Sequence, residues 1–143
     1  MPDSPLLPAP GPEMIIVEDL YKRFGHVVAV GGVNLRVARG EVVVIVGPSG
    51  SGKSTVLRCI NHLEVPTQGN VWVDGVHVNA KRADINKVRS EVGMVFQQFN
   101  LFQHLTALEN VTLALRMVRK RKKADANAIA HQQLARVGIP EKA

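Results

Sequence analysis

From Met14 onward, apolar and polar residues alternate with a period that changes from segment to segment. Ile15-Ile16-Val17 reads as a short strand, Gly25 as a turn and Val27 to Val30 as a second strand. Val33, Leu35 and Val37 alternate with Asn34 and Arg36, the two-residue period of a strand with one face in a core. Past Gly40, Val42 to Val46 is apolar without a break, which predicts a central parallel strand covered on both faces. The period then lengthens. Residues 53–63 predict a helix, with Val56, Ile60 and Leu63 on one face, Leu57 beside them and Cys59 at its margin. Asn70 to Val78 places valines on either side of Asp74-Gly75, a two-residue hairpin turn. Residues 81–91 predict a helix through Ile85 and Val88, and Val92 to Phe96 a further buried strand ending at Gln97.

The last third of the chain is helical in pattern. Thr106 and Glu109 have capping-box spacing, and Leu108, Val111, Leu115 and Val118 mark one face of the helix that follows. A second helix carries Ala126, Ile129, Ala130, Leu134 and Val137, and Gly138 and Pro140 end it. Residues 1–13 hold five of the eight prolines and little that could be buried, so they predict a disordered tail.

Composition narrows the class. With 143 residues, 45% hydrophobic and 21% charged, the chain has the make-up of one globular domain. No apolar run approaches the ~20 residues that cross a bilayer, and no signal peptide is visible. The single cysteine, Cys59, excludes an internal disulfide, fits a reducing cytoplasm and reads as a core thiol. The formal net charge is +6, but Arg116, Arg119, Lys120, Arg121, Lys122 and Lys123 supply six positive charges together. The rest of the chain is neutral on balance, so the basic character is local and gives no reason to expect a nucleic-acid partner.

The candidate chemistry lies between the apolar run and the first helix. Gly47-Pro48-Ser49-Gly50-Ser51-Gly52-Lys53-Ser54 satisfies G-x-x-x-x-G-K-[ST] in full, between a strand pattern and a helix pattern. The glycines let successive backbone N–H groups converge on a phosphate, and the helix starting near Gly52 adds the positive end of its dipole. Lys53 supplies a point charge for the β- and γ-phosphates, and Ser54 a hard oxygen for Mg²⁺. A guanine reader of the form N-K-x-D is missing, because Asn86-Lys87-Val88-Arg89 ends in arginine. ATP is therefore the expected nucleotide.

Three further segments carry a resemblance. "DLYKRFG" before the loop, "LRCINHLEVPTQG" after it and "GMVFQQFNLFQHLTALENV" further on resemble ATP-binding subunits of ATP-binding-cassette (ABC) transporters, specifically bacterial importers of polar amino acids. The resemblance runs from about Met14 to the end. It implies an α/β P-loop NTPase with an N-terminal antiparallel β subdomain, a partial parallel core sheet and the start of a helical subdomain near residue 104. It places Phe24 where the family stacks an aromatic ring on adenine, with Tyr21 as the rival, and makes Gly47 to Thr55 the phosphate loop. Gln97 corresponds to the glutamine that reaches Mg²⁺ and the attacking water and whose loop contacts the membrane subunit. A polar residue at a strand end is its plainer reading. Gln103 departs from the family pattern, which has proline there.

The resemblance further implies ATP hydrolysis, a head-to-tail dimer with a second ATP-binding subunit, membrane permease partners, and a cytoplasmic, peripheral position on the inner face of the plasma membrane. The family's hydrolysis also needs a Walker B strand ending in Asp-Glu, an LSGGQ signature and a switch histidine. Ile15-Ile16-Val17 precedes the loop and continues into Glu18-Asp19, the wrong order; Val71 to Asp74 reads as the hairpin; no SGG string occurs; and none of the five histidines follows an acidic Walker B strand. "ARVGIPEKA" resembles the segment just before the signature, so the chain reads as an N-terminal part of such a subunit, inactive alone. A small-molecule P-loop kinase, or a non-hydrolysing fragment binding ATP or nucleic acid through the 116–123 cluster, are the other readings.

Overall fold

The first strand in the computed structural model begins at Glu13, one residue before the sequence pattern suggests. The structure describes residues 12–98 and 100–140, so the expected tail lies outside the described residues up to position 11. Pro12 and Glu13 are already tied to the sheet: Arg39 N–H donates to the Pro12 carbonyl at 2.9 Å, and Glu13 opposes Ala38. The chain divides into two compact units, Met1–Gly93 and Met94–Ala143.

The first unit is built on an antiparallel sheet of strands β1 (Glu13–Phe24), β2 (Val27–Ala38), β3 (Gln68–Val73) and β4 (Val76–His77), in the order β2-β1-β3-β4. The two short strand patterns before Gly40 fuse into the single strand β2. A bulge explains why β1 is longer than its apolar alternation. Val17 and Leu20 both face the core although they stand three apart, and Asp19 between them, at φ 44°, absorbs the extra residue. Asn34 brackets the bulge, accepting from Asp19 N–H at 3.0 Å and donating to its carboxylate at 3.2 Å. The β3–β4 turn falls on Asp74 (φ 47°) and Gly75 (φ 75°), the two left-handed positions that a tight hairpin requires.

Helix α1 (Lys53–Ile60) presents Val56, Cys59 and Ile60 to this sheet, and α2 (Ile85–Glu91) presents Val88. These residues, with Val17, Leu20, Val30, Val71, Val73 and Val78, form one buried cluster. Leu63, expected on the buried face of the first helix, is exposed because that helix stops at Ile60; Leu57, expected beside that face, is exposed as well. Cys59 is fully buried, and desolvation raises its thiol pKa, so it is an inert core group as expected.

The α/β class and the antiparallel N-terminal sheet are as expected; the partial parallel core sheet is not formed among the described residues. Residues 42–46 and 92–96 belong to no sheet there. Val42, Val44 and Val46 are 81%, 76% and 86% exposed, against 39% and 37% for Val43 and Ile45. The exposure alternates with a period of two, so the segment has one half-covered face and one open face. A continuous apolar run signals two covered faces only when strands and helices stand ready on both sides, and here one side is supplied. Val92 is half-buried, but Val95 and Phe96 are exposed.

The second unit pairs α3 (Ala107–Met117) with α4 (Lys123–Arg136). Thr106 and Glu109 form the expected capping box, with Glu109 N–H donating to Thr106 Oγ1 at 3.2 Å and Thr106 N–H to the Glu109 carboxylate at 2.8 Å. Ala126, Ala130 and Leu134 are buried on α4, whereas Val118 and Val137, at the two helix C-termini, are exposed. Gly138 at φ 79° ends α4.

Candidate functional site

Gly52 shows most directly why the loop has its sequence. It caps the N-terminus of α1 at φ 89°, and a Cβ there would lie 2.2 Å from the carbonyl oxygen of Ala29 on β2. Backbone meets backbone at this point, and only glycine fits. At Gly47 a Cβ would sit 2.8 Å from Ser51 Oγ. The loop is thus pressed against β2 at one end and folded on itself at the other, with Ser51 N–H donating to the Pro48 carbonyl at 3.3 Å.

Lys53 closes the loop. Its ammonium donates to the carbonyls of Gly47 at 2.9 Å and Pro48 at 2.6 Å, and to Ser51 Oγ at 3.4 Å. The first turn of α1 carries no acidic residue, so the positive end of the helix dipole and the lysine charge are not offset locally.

Two clefts flank the loop. One, of about 540 Å³, is bounded by Gly47, Pro48, Ser51, Gly52 and Lys53 and by β2 from Ala29. The other, of about 400 Å³, includes Lys53, Ser54 and Leu57. Val43 and Ile45 line both. Ser49 and Gly50 are exposed and line neither, and Thr55 is half-buried in the first turn of α1.

The remaining candidates are Phe24, its rival Tyr21 and Gln97. Phe24, 47% exposed as a residue, ends β1 with the Lys22 ammonium 4.6 Å from its ring centroid; it lines neither cleft. Its rival Tyr21 lies against the sheet: a Cβ at Gly32 would come within 2.8 Å of the Tyr21 hydroxyl. Gln97 is exposed in the second unit.

Several positioning residues escaped the sequence reading. Arg89, which stands where a guanine reader would have its carboxylate, donates to the carbonyls of His62 at 2.7 Å and Asn61 at 3.4 Å, closing the C-terminal end of α1. Lys22 holds the same exit from the other side through Glu64 at 3.0 Å and the Val65 carbonyl at 3.0 Å. Asn110 fixes the loop that contains Gln103: it accepts from Phe102 N–H at 2.9 Å and donates to the carbonyls of Phe102, Leu105 and Thr106. Rigidity that a proline would give comes here from that side chain. No spacing rule points to any of the three, because their partners, mostly backbone groups, are chosen by the fold.

Among the described residues no group of three or more His, Cys, Asp or Glu side chains could hold a metal ion. The donor chemistry at the loop suits a hard cation that arrives on phosphate oxygens and takes one protein hydroxyl, such as that of Ser54.

The family model described as "ABC transporter" matches residues 30–143. The chain is 52% identical over 130 residues to the glutamine transport ATP-binding protein GlnQ of Escherichia coli (strain K12), covering 91% of this chain and 54% of that protein. It is 52% identical over 129 residues to the glutamate/glutamine/aspartate/asparagine transport ATP-binding protein BztD of Rhodobacter capsulatus, covering 90% of this chain and 49% of that one. The fold is similar to the dimeric post-hydrolysis structure of the ATP-binding cassette MJ0796 bound to ADP and Pi, with a TM-score of 0.77 and 39% identity over 85% of this chain and 56% of that chain. The chain spans about half the length of the curated relatives it matches.

Proposed function

This chain belongs to the ABC transporter family, and we propose that its loop from Gly47 to Thr55 binds Mg-ATP as part of a subunit that energises the import of polar amino acids. The observation that carries the reading is the Gly52–Lys53 step, where the only residue that fits against β2 precedes the only lysine of the loop. Lys53 exchanges loop carbonyls for phosphate oxygens, a change from neutral to charged acceptors that favours the bound state. Backbone N–H groups at the start of α1 take the remaining phosphate oxygens. Mg²⁺, held by Ser54 and phosphate oxygens, would neutralise charge on the β- and γ-phosphates. Gln97 is assigned to the attacking water and to contact with a permease, as its place in the family motif implies.

Phe24 is the base-stacking residue of this reading. Its exposed ring and the packing of Tyr21 against Gly32 both support that choice. The glutamine- and glutamate-transport names of the relatives support a polar amino acid as cargo, and the dimeric structural neighbour supports pairing with a second ATP-binding subunit, which the reading takes to be head-to-tail. A place on the cytoplasmic face of the membrane follows from permease contact. No described helix is long and apolar enough to cross a membrane.

Titration of a fluorescent ATP analogue with Mg²⁺ tests the reading. Lys53→Ala weakens binding at least about tenfold, or ~1.4 kcal/mol. Equal affinity in parent and variant would overturn it. Because these 143 residues include no Asp-Glu pair after an apolar strand downstream of the loop, phosphate release by the bound chain stays near background over many turnovers. Robust turnover would favour the kinase reading.

A further inference from the structure

None of the residues assigned to the nucleotide falls at the junction between α3 and α4. Every residue from Arg116 to Lys123 is exposed, and six of the eight are cationic with no acid among them. The two others, Met117 and Val118, are large apolar side chains left in solvent at the end of α3. The backbone reverses sharply here. Arg121 N–H donates to the Leu115 carbonyl at 3.0 Å, and Lys120 adopts φ 52°, the left-handed position that ends helices and that glycine occupies most easily. A lysine at this position carries a conformational cost that glycine would not, and strain of this kind concentrates where a side chain has a task.

We propose that the α3–α4 junction docks on an anionic lipid surface, with Arg116, Lys120, Arg121 and Lys122 on headgroups and Met117 and Val118 at the acyl boundary. Cations around an exposed apolar pair are what such a surface accepts: charge supplies attraction, and the apolar groups enter below the headgroups. A polynucleotide fits less well, because residues 105–143 contain no Phe, Tyr or Trp on which a base could stack. Glu109, within electrostatic reach of Lys123, and Asp125 in the first turn of α4 lie at the Lys123 edge of the cluster, so the four named cations form its centre. The choice of a membrane also rests on the reading of the chain as part of a transporter subunit.

Co-sedimentation of the full chain with vesicles, without nucleotide, tests this. The chain binds phosphatidylglycerol-containing vesicles at low salt, loses them steeply as salt rises, and ignores pure phosphatidylcholine. Arg116→Ser, Lys120→Gly, Arg121→Ser and Lys122→Ser together weaken binding at least about thirtyfold. Met117→Ser with Val118→Ser removes the part that survives high salt. Circular dichroism verifies that both variants fold, and the salt dependence of the parent stands as evidence without them. Equal binding to pure phosphatidylcholine, unchanged binding by a folded fourfold variant, or displacement of vesicles by single-stranded RNA at lower concentration would each overturn the proposal. Vesicle binding by a chain that fails to bind Mg-ATP would sink the nucleotide reading and leave this one standing.

Discussion

Gly52 and His62 show how much one position decides. Replacing Gly52 with alanine drives a methyl group into the Ala29 carbonyl and forces a strained φ, at a cost of at least about 2 kcal/mol. Gly52→Ala is expected to lower the unfolding midpoint and abolish binding of a fluorescent ATP analogue together, whereas Lys53→Ala weakens binding alone. Phe24 and Tyr21 separate in the opposite sense. Phe24→Ala is expected to weaken ATP and GTP alike by about 1–3 kcal/mol, since stacking does not read base edges. Its unfolding midpoint stays near that of the parent, while Tyr21→Ala lowers the midpoint by uncovering Gly32. If Tyr21→Ala instead weakens nucleotide at unchanged stability, the assignment reverses. The phosphate loop was legible because its residues act on each other over eight positions. The Ala29 contact was not, because it exists only once β2 lies beside the loop.

His62 adds a pH dependence. Its Nδ1 is buried without a hydrogen-bond partner, and burial, then the Arg89 charge, lowers its pKa below the ordinary 6.5. The folded chain therefore holds a neutral imidazole more firmly than the unfolded chain does, and protonation favours unfolding. This contribution is present above pH 6.5 and is lost as pH falls below it. Denaturant titrations at pH 7 and pH 5 are expected to show the fall, and His62→Asn, suited to the left-handed φ of 56°, is expected to flatten it.

At the scale of elements, termini were easier to read than extents. The α3 capping box was visible from two residues, and Thr106→Ala is expected to cost about 1 kcal/mol in a urea titration. Glu109 has its pKa lowered by the Thr106 backbone N–H first and the Thr106 hydroxyl second, with smaller contributions from Lys123 and His104. Its share of the cap is present above the unfolded carboxylate pKa and is lost as pH falls through the lowered value. At the other end of the same helix, Lys120→Gly is expected to raise the unfolding midpoint, because it relieves the left-handed strain. The Asp74-Gly75 hairpin was equally legible. The full length of β1 was hidden by its bulge, since Val17 and Leu20 break the alternation that identifies strands.

For the whole molecule, the run from Val42 to Val46 was read correctly as apolar and wrongly as enclosed. Hydropathy reports what a segment would prefer to touch, and the cover itself must come from elsewhere. The same five residues, VVVIV, contain no charge and no proline and favour β structure, which is the profile of a segment that templates fibrils when left open. Glu41 before them, its carboxylate held by the Ala38 N–H at 2.7 Å, and Pro48 just after them stand as gatekeepers at either end. Val44→Lys, on the open face, is expected to raise soluble yield and delay the rise of thioflavin fluorescence, whereas the same change at half-covered Ile45 would cost the fold itself.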